Sequence, residues 1–225
     1  MIEIVLDTET TGLSVKEGHR IIEIGCVELK NQIPTKNKFH CILNPERKVS
    51  EKAFDIHGYS DKFLEDKKKF KEVADEFLNF IGNKTLIIHN AEFDLGHLNN
   101  ELALIGKEPI KRERVIDTLE LARSKYPGAQ NSLDALCKRF NIDNSKREKH
   151  NALLDCYLLK EVYINLLDQK EPKLNLESSG VADIKFYDKS NKNKSVSRKI
   201  IKPNREELKF HKEYLRSQLP KNNYN

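Results

Sequence analysis

The hydrophobic period of this chain changes once, and that change limits the folds open to it. Three extended runs come first, residues 2–6, 20–30 and 38–43, separated by the polar stretches "SVKEGH" and "NQIPTKN". Their short spacing predicts an antiparallel meander. From residue 70 the period becomes helical: Phe70, Val73, Ala74, Phe77, Leu78 and Ile81 recur at helix spacing, and Gly82 closes the run. Strand and helix then alternate. "TLIIHN" reads as a buried strand before the helical "FDLGHLNNELALIG", and "RVIDTLELARSKY" repeats the scheme. "NSLDALCKRFNI" reads as a helix capped by Asn131 or Ser132, and "ALLDCYLLKEVYINLLDQ" as a long apolar helix. Strands first, then alternation, imply an α/β domain with a mixed sheet flanked by helices.

Past about residue 169 the pattern fails. Residues 171–197 are rich in Lys, Ser and Asn with little periodicity, and read as a flexible linker. Order returns over 198–225, where Asn204 and Glu207 form a capping-box-like start to a stripe of Leu208, His211, Leu215 and Leu219. That stripe either folds back on the body or docks on a partner chain. The organisation expected is a domain over 1–170, a linker over 171–197 and a docking segment over 198–225.

Charge separates the same regions. From Lys185 onward there are 12 Lys and Arg against 4 Asp and Glu, and before it 28 against 31. The body is thus no basic nucleic-acid binder by composition. No apolar stretch reaches the roughly 18 residues a membrane span needs, and acids stand where a signal peptide would be basic. Four scattered cysteines without a C-x-x-C pair read as reduced thiols of a cytoplasmic protein.

Three short stretches carry the chemistry. "LDTETTG" places Asp7 and Glu9 two apart on an extended segment, so both project to one side with Thr8 opposite. Side-by-side carboxylates repel, and a divalent cation resolves the conflict. "IIHNAEFD" puts Glu92 and Asp94 in the early turns of a helix, which the helix dipole alone would favour. In that stretch His89 and Asn90 could simply satisfy loop backbone. "HNALLD" separates His150 from Asp155 by five residues, about 140° of helix rotation. His150 is therefore expected in the loop before the helix. Asp155, among leucines, needs a partner if buried.

These motifs, in this order, resemble those of the DEDD exonuclease superfamily in its histidine-bearing branch. "RIIEIGCVEL", "AFDIHG", "VADEFLNFI", "IDTLELAR" and "YPGAQNSLDALCKRFNID" are similar to the proofreading epsilon subunits of bacterial DNA polymerase III, over about residues 1–170. The resemblance implies a ribonuclease H-like sheet and 3′→5′ removal of mispaired nucleotides from DNA ends. It implies that Asp7, Glu9, Asp94 and Asp155 hold two divalent cations, Mg²⁺ or Mn²⁺, with His150 as general base. Substrate contacts are expected from Asp7, Glu9, Asp155, His57 and Phe93. The resemblance also draws a substrate contact from the position of Lys52, where family members often carry an acid, with Glu51 next door as the alternative. Asn151 replaces the glycine usual after the histidine. Implied partners are DNA 3′ ends, the polymerase alpha subunit through the C-terminal segment, and a theta-like small subunit. "GVADIKF" stands where a sliding-clamp peptide would, without its glutamine, which leaves a clamp contact doubtful. An RNase T-like exoribonuclease would share every catalytic residue. A non-catalytic polymerase-stabilising subunit would not need the five-residue set.

Overall fold

A computed structural model describes residues 1–145, 147, 149–167 and 203–218. The chain divides into two units, Met1–Leu174 and Asn175–Asn225. The linker expected over 171–197, the clamp-like stretch and Leu219 lie outside the described residues.

In the first unit, β1 (Ile2–Thr10), β2 (Ile21–Lys30) and β3 (Ile33–Ile42) form the antiparallel meander. The helices α1 (Glu51–His57), α2 (Asp61–Leu64) and α3 (Phe70–Ile81) follow. Next come β4 (Thr85–Ile88), α4 (Ala91–Leu104), β5 (Val115–Asp117), α5 (Thr118–Lys125), α6 (Leu133–Arg139) and α7 (Ala152–Leu166). The five strands lie in the order β3-β2-β1-β4-β5, with β4 parallel to both β1 and β5. This is the mixed, helix-flanked sheet of ribonuclease H-like folds.

Alternation along β1 divides the core. Ile4 and Leu6 face a layer built by Phe70, Phe77, Leu98 and Leu102 of α3 and α4. Val5 faces the other, built by Leu136, Cys156, Leu159 and Val162 of α6 and α7. Cys26, Cys137 and Cys156 are buried free thiols, and Cys41 is half-buried and free.

Two expectations about the strands need correction. The first strand does not end at residue 6. It continues to Thr10, so Asp7 and Glu9 lie within it, paired against Gly25 and Glu23. "NQIPTKN" is not the turn. Only Asn31 and Gln32 turn, both at positive φ (50° and 65°), as a tight two-residue hairpin requires. Strand β3 then starts at Ile33, and its largely exposed sheet edge accommodates Pro34 and the polar residues that resembled a loop.

Gly25 sets how closely α7 approaches the sheet. A Cβ there would meet the backbone C and O of Ala152 at 2.5 and 2.6 Å. Cys156 donates from Sγ to the Gly25 carbonyl at 3.2 Å, fixing the same approach. We expect Gly25→Ala to cost about 1–3 kcal/mol in a thermal melt and to lower activity by displacing α7. Unchanged stability and activity together would refute this packing account.

In the second unit α8 spans Arg205–Gln218. The expected capping box is present: Asn204 N–H donates to Glu207 Oε2 at 2.8 Å, and Glu207 N–H to Asn204 Oδ1 at 2.8 Å. Leu208, Phe210 and Tyr214 are exposed on this helix, Phe210 at 70%. Among the described residues no helix is long and apolar enough to cross a membrane.

Candidate active site

One strand and two helix starts deliver the carboxylates to the C-terminal end of β1. Asp7 and Glu9 come from the strand itself, on the α7 face. Asp94 arrives from the first turn of α4, on the opposite face, and accepts from Thr8 N–H (3.0 Å) and Thr8 Oγ1 (2.6 Å). That bond agrees with Thr8 pointing away from Asp7 and Glu9. The β4–α4 turn is fixed by Asp117, which accepts from Asn90 N–H (3.1 Å) and Ala91 N–H (2.9 Å). Asn90 sits at φ 71° and makes no side-chain cap; His89 instead bonds through Nδ1 to Thr118 Oγ1 at 2.9 Å. Asp155 projects from the first turn of α7, which Asn151 caps by accepting from Leu154 N–H at 3.0 Å. His150 lies in the loop just before it, as its spacing from Asp155 required.

Asp7, Glu9, Phe93, Asp94, His150 and Asp155 line one cavity of about 610 Å³. Ligand atoms of Glu9, His150 and Asp155 lie within 4.8 Å of one another, close enough to share a metal ion. Lys52 and His57 do not line that cavity. They line an adjoining one of about 440 Å³, which shares Thr8, Glu9, Leu13 and Phe93 with the first. His57 is buried and stacks on Tyr59 with ring centroids 5.3 Å apart, whereas Lys52 is exposed.

Electrostatics mark the cluster as strained in charge. Burial, then Asp94, Asp155 and Glu9, hold the Asp7 carboxyl well above the usual carboxylate range. Burial, followed by Asp155 and Glu23, pushes Glu9 up to about 8. Burial pushes Asp94 up to about 7, against the lowering effect of its Thr8 bonds. Burial and the neighbouring Arg147 charge lower His150, which favours the neutral imidazole.

Sequence reasoning missed two residues. Glu23, fully buried on β2, accepts from Asn151 Nδ2 (2.7 Å), Ala152 N–H (3.1 Å), Tyr59 OH (3.1 Å) and His40 Nε2 (2.7 Å). It ties the start of α7 to the α1–α2 corner. His150 N–H adds a bond to the Ile56 carbonyl at 3.1 Å, so the His150 loop and the His57 helix are braced together. The signal was an acid inside the apolar run "IIEIGC". Arg147 is the second. Its Nε and Nη2 donate to Asp155 Oδ1 (2.6 Å) and Oδ2 (2.7 Å), and it supplies the partner that a buried Asp155 needs. In sequence it is one cation of a polar loop, without a distinguishing pattern.

A family model described as exonuclease matches residues 4–163. The chain is 46% identical over 227 aligned residues to DNA polymerase III subunit epsilon of Rickettsia typhi, covering 95% of each chain. It is 51% identical over 169 residues to the subunit of that name from Escherichia coli K12, covering 72% of this chain and 70% of that one. The solved structure of exonuclease X in complex with 5′ overhanging duplex DNA superposes with a TM-score of 0.60 at 27% identity, over 75% of this chain and 92% of that one. The chain therefore belongs to the exonuclease family and, within it, groups with the DNA polymerase III epsilon subunits.

Proposed function

We propose that this chain removes nucleotides singly from DNA 3′ ends as the proofreading subunit of the replicative DNA polymerase III. The observation that carries this reading is the convergence of Asp7, Glu9, Asp94, Asp155 and His150 on one cavity. The donor set also fits a pair of divalent cations. Three of its carboxyls are pushed toward protonation by burial and, for Asp7 and Glu9, by the neighbouring site carboxylates, a conflict that cations relieve. Carboxylate oxygens suit Mg²⁺ or Mn²⁺.

In this reading Asp7, Glu9, Asp94 and Asp155 hold the ions. When bound, such a pair supplies an activated water and offsets the charge gathering on the leaving 3′ oxygen. His150, neutral at physiological pH, takes the proton of the attacking water. His57 and Phe93 border the adjoining cavity, where a terminal nucleoside can stack without sequence reading. A mispaired terminus costs less to unstack and so reaches the site more readily. The α1–α2 corner and the His150 loop, braced through Glu23, keep the nucleoside wall and the base in register.

Residues 1–170 form the exonuclease domain in this proposal, 171–197 the linker, and 198–225 the segment that docks on the polymerase alpha subunit. The exposed Phe210 and Tyr214, four residues apart on one face of α8, supply apolar contacts for such docking.

The test is digestion of labelled matched and mismatched primer ends by the full chain, with and without Mg²⁺, beside an RNA oligonucleotide. Metal-dependent shortening from the 3′ end, faster on mismatched DNA, is expected. Shortening without metal, or preference for RNA, refutes the proofreading assignment.

A further inference from the structure

A guanidinium already occupies part of the place assigned to cations. Arg147, 7% exposed in its side chain, forks both oxygens of Asp155. Its Nη2, the nitrogen that meets Asp155 Oδ2 at 2.7 Å, also lies 3.0 Å from His150 Nδ1. One nitrogen thus engages two of the three residues whose ligand atoms cluster within 4.8 Å. A guanidinium has no acceptor, so it must be the donor to His150 Nδ1. The ring's lone pair then points at Arg147, and its proton sits on Nε2. In that arrangement His150 has no free nitrogen with which to accept a proton from water.

We propose that Arg147 is a positioning residue that holds Asp155 and His150 in a resting state, and that it must release Asp155 before divalent ions bind there. The inference rests on the metal-ligand reading above. Two features favour a displaceable contact. A cation approaching Asp155 meets a like charge already seated on both carboxylate oxygens. And the guanidinium has a second anchor: Nη1 lies 2.8 Å from Asp134 Oδ1, on α6, whose side chain is 55% exposed. Arg147 can keep that partner while giving up Asp155. Release frees Asp155 for ions and the His150 ring for its other tautomer in one movement. A residue with a purely structural role would stabilise the loop and have no bearing on ion affinity.

The experiment is calorimetric titration of Mn²⁺ into the full chain as wild type, Arg147→Gln, Arg147→Lys and Asp155→Asn. Each is also melted without metal. Arg147→Gln is expected to bind Mn²⁺ about tenfold more tightly, since ions no longer displace a cation, a difference of about 1.4 kcal/mol. Arg147→Lys, which keeps the charge but not the fork, should fall between. Without metal, Arg147→Gln should melt below wild type, because Asp155 is left buried and unpaired, and Mn²⁺ should close that gap. Equal or weaker Mn²⁺ binding by both Arg147 variants overturns the proposal, even if their melting temperatures fall. If Asp155→Asn binds Mn²⁺ as wild type does, the metal-ligand reading fails, and this inference with it.

Discussion

Asp7→Asn should lose exonuclease activity by about 10³-fold or more while making the metal-free protein more stable. The loss follows from its place between the clustered carboxyls: a ligand to a charge-stabilising ion is worth several kcal/mol of transition-state stabilisation. The gain follows from the same crowding. Asp7 is held well above the carboxylate range by burial and by Asp94, Asp155 and Glu9, so ionising it in the folded chain is costly. The amide keeps the shape and removes the charge. The pH dependence has a definite sign. Glu9 is pushed up to about 8 and Asp94 to about 7 from ordinary values of 4.5 and 3.8. Between those limits the folded, metal-free chain holds protons that the unfolded chain has released. The stability these carboxyls contribute therefore falls as pH rises from about 4 to 8. Divalent ions replace those protons, so added Mg²⁺ should raise the melting temperature more at pH 8 than at pH 5. In Asp7→Asn the metal-free decline with pH should be shallower, because one raised carboxyl is gone. Thermal melts across pH with and without Mg²⁺, beside primer digestion, check all of this. A variant that digests primers within tenfold of wild type would contradict the role given to Asp7. A metal-free variant less stable than wild type at pH 8 would contradict the charge argument.

How much of this was legible in the chain depends on whether a residue's role was written in periodicity. Asp7 and Glu9 sharing a face follows from strand alternation, and it holds although β1 runs four residues further than its apolar stretch. His150 in a loop and Asp155 in a helical turn follow from helix rotation over five residues. The α1–α2 corner was not legible as structure. Its helices span Glu51–His57 and Asp61–Leu64, too short to show a period. Only their caps mark them: Ser50 and Ser60 each accept a backbone N–H three residues on, at 3.3 Å. His57 was reached through resemblance, and its burial against Tyr59 is a tertiary fact no local pattern encodes. Arg147 lies furthest from legibility. Its partner is eight residues on, across a loop and a helix cap, and nothing in "NSKREK" singles out one cation from its neighbours. Glu23 was legible and passed over. An acid between isoleucines in a strand must either face solvent or carry partners, and here it carries four.

His150→Ala should lower kcat by about 10² to 10⁴-fold, the usual range for loss of a general base, and leave ion binding by the carboxylates largely in place. The distinction from Asp7→Asn lies in that second readout: the Asp7 variant should lose Mn²⁺ affinity, and the His150 variant should keep most of it. His150 is 44% exposed in its side chain, and its alanine variant keeps the backbone bond to Ile56 while losing the ring contact with Arg147, so the melting temperature should fall only slightly. The pH profile supplies a further sign. In the metal-free chain burial first, then the neighbouring Arg147 charge, lowers the His150 pKa below its ordinary 6.5, and bound divalent ions, taking the place of Arg147 at Asp155, would push it the same way. Activity that needs a neutral imidazole should then persist below pH 6.5 and fall only as pH drops through the lowered value, provided the carboxylates stay loaded with metal. At saturating Mn²⁺ that acidic fall belongs to His150 and should be absent from the residual rate of His150→Ala. If the variant retains the same acidic limb, some other group accepts the proton. His150 would then serve the site only as a neighbour of Asp155.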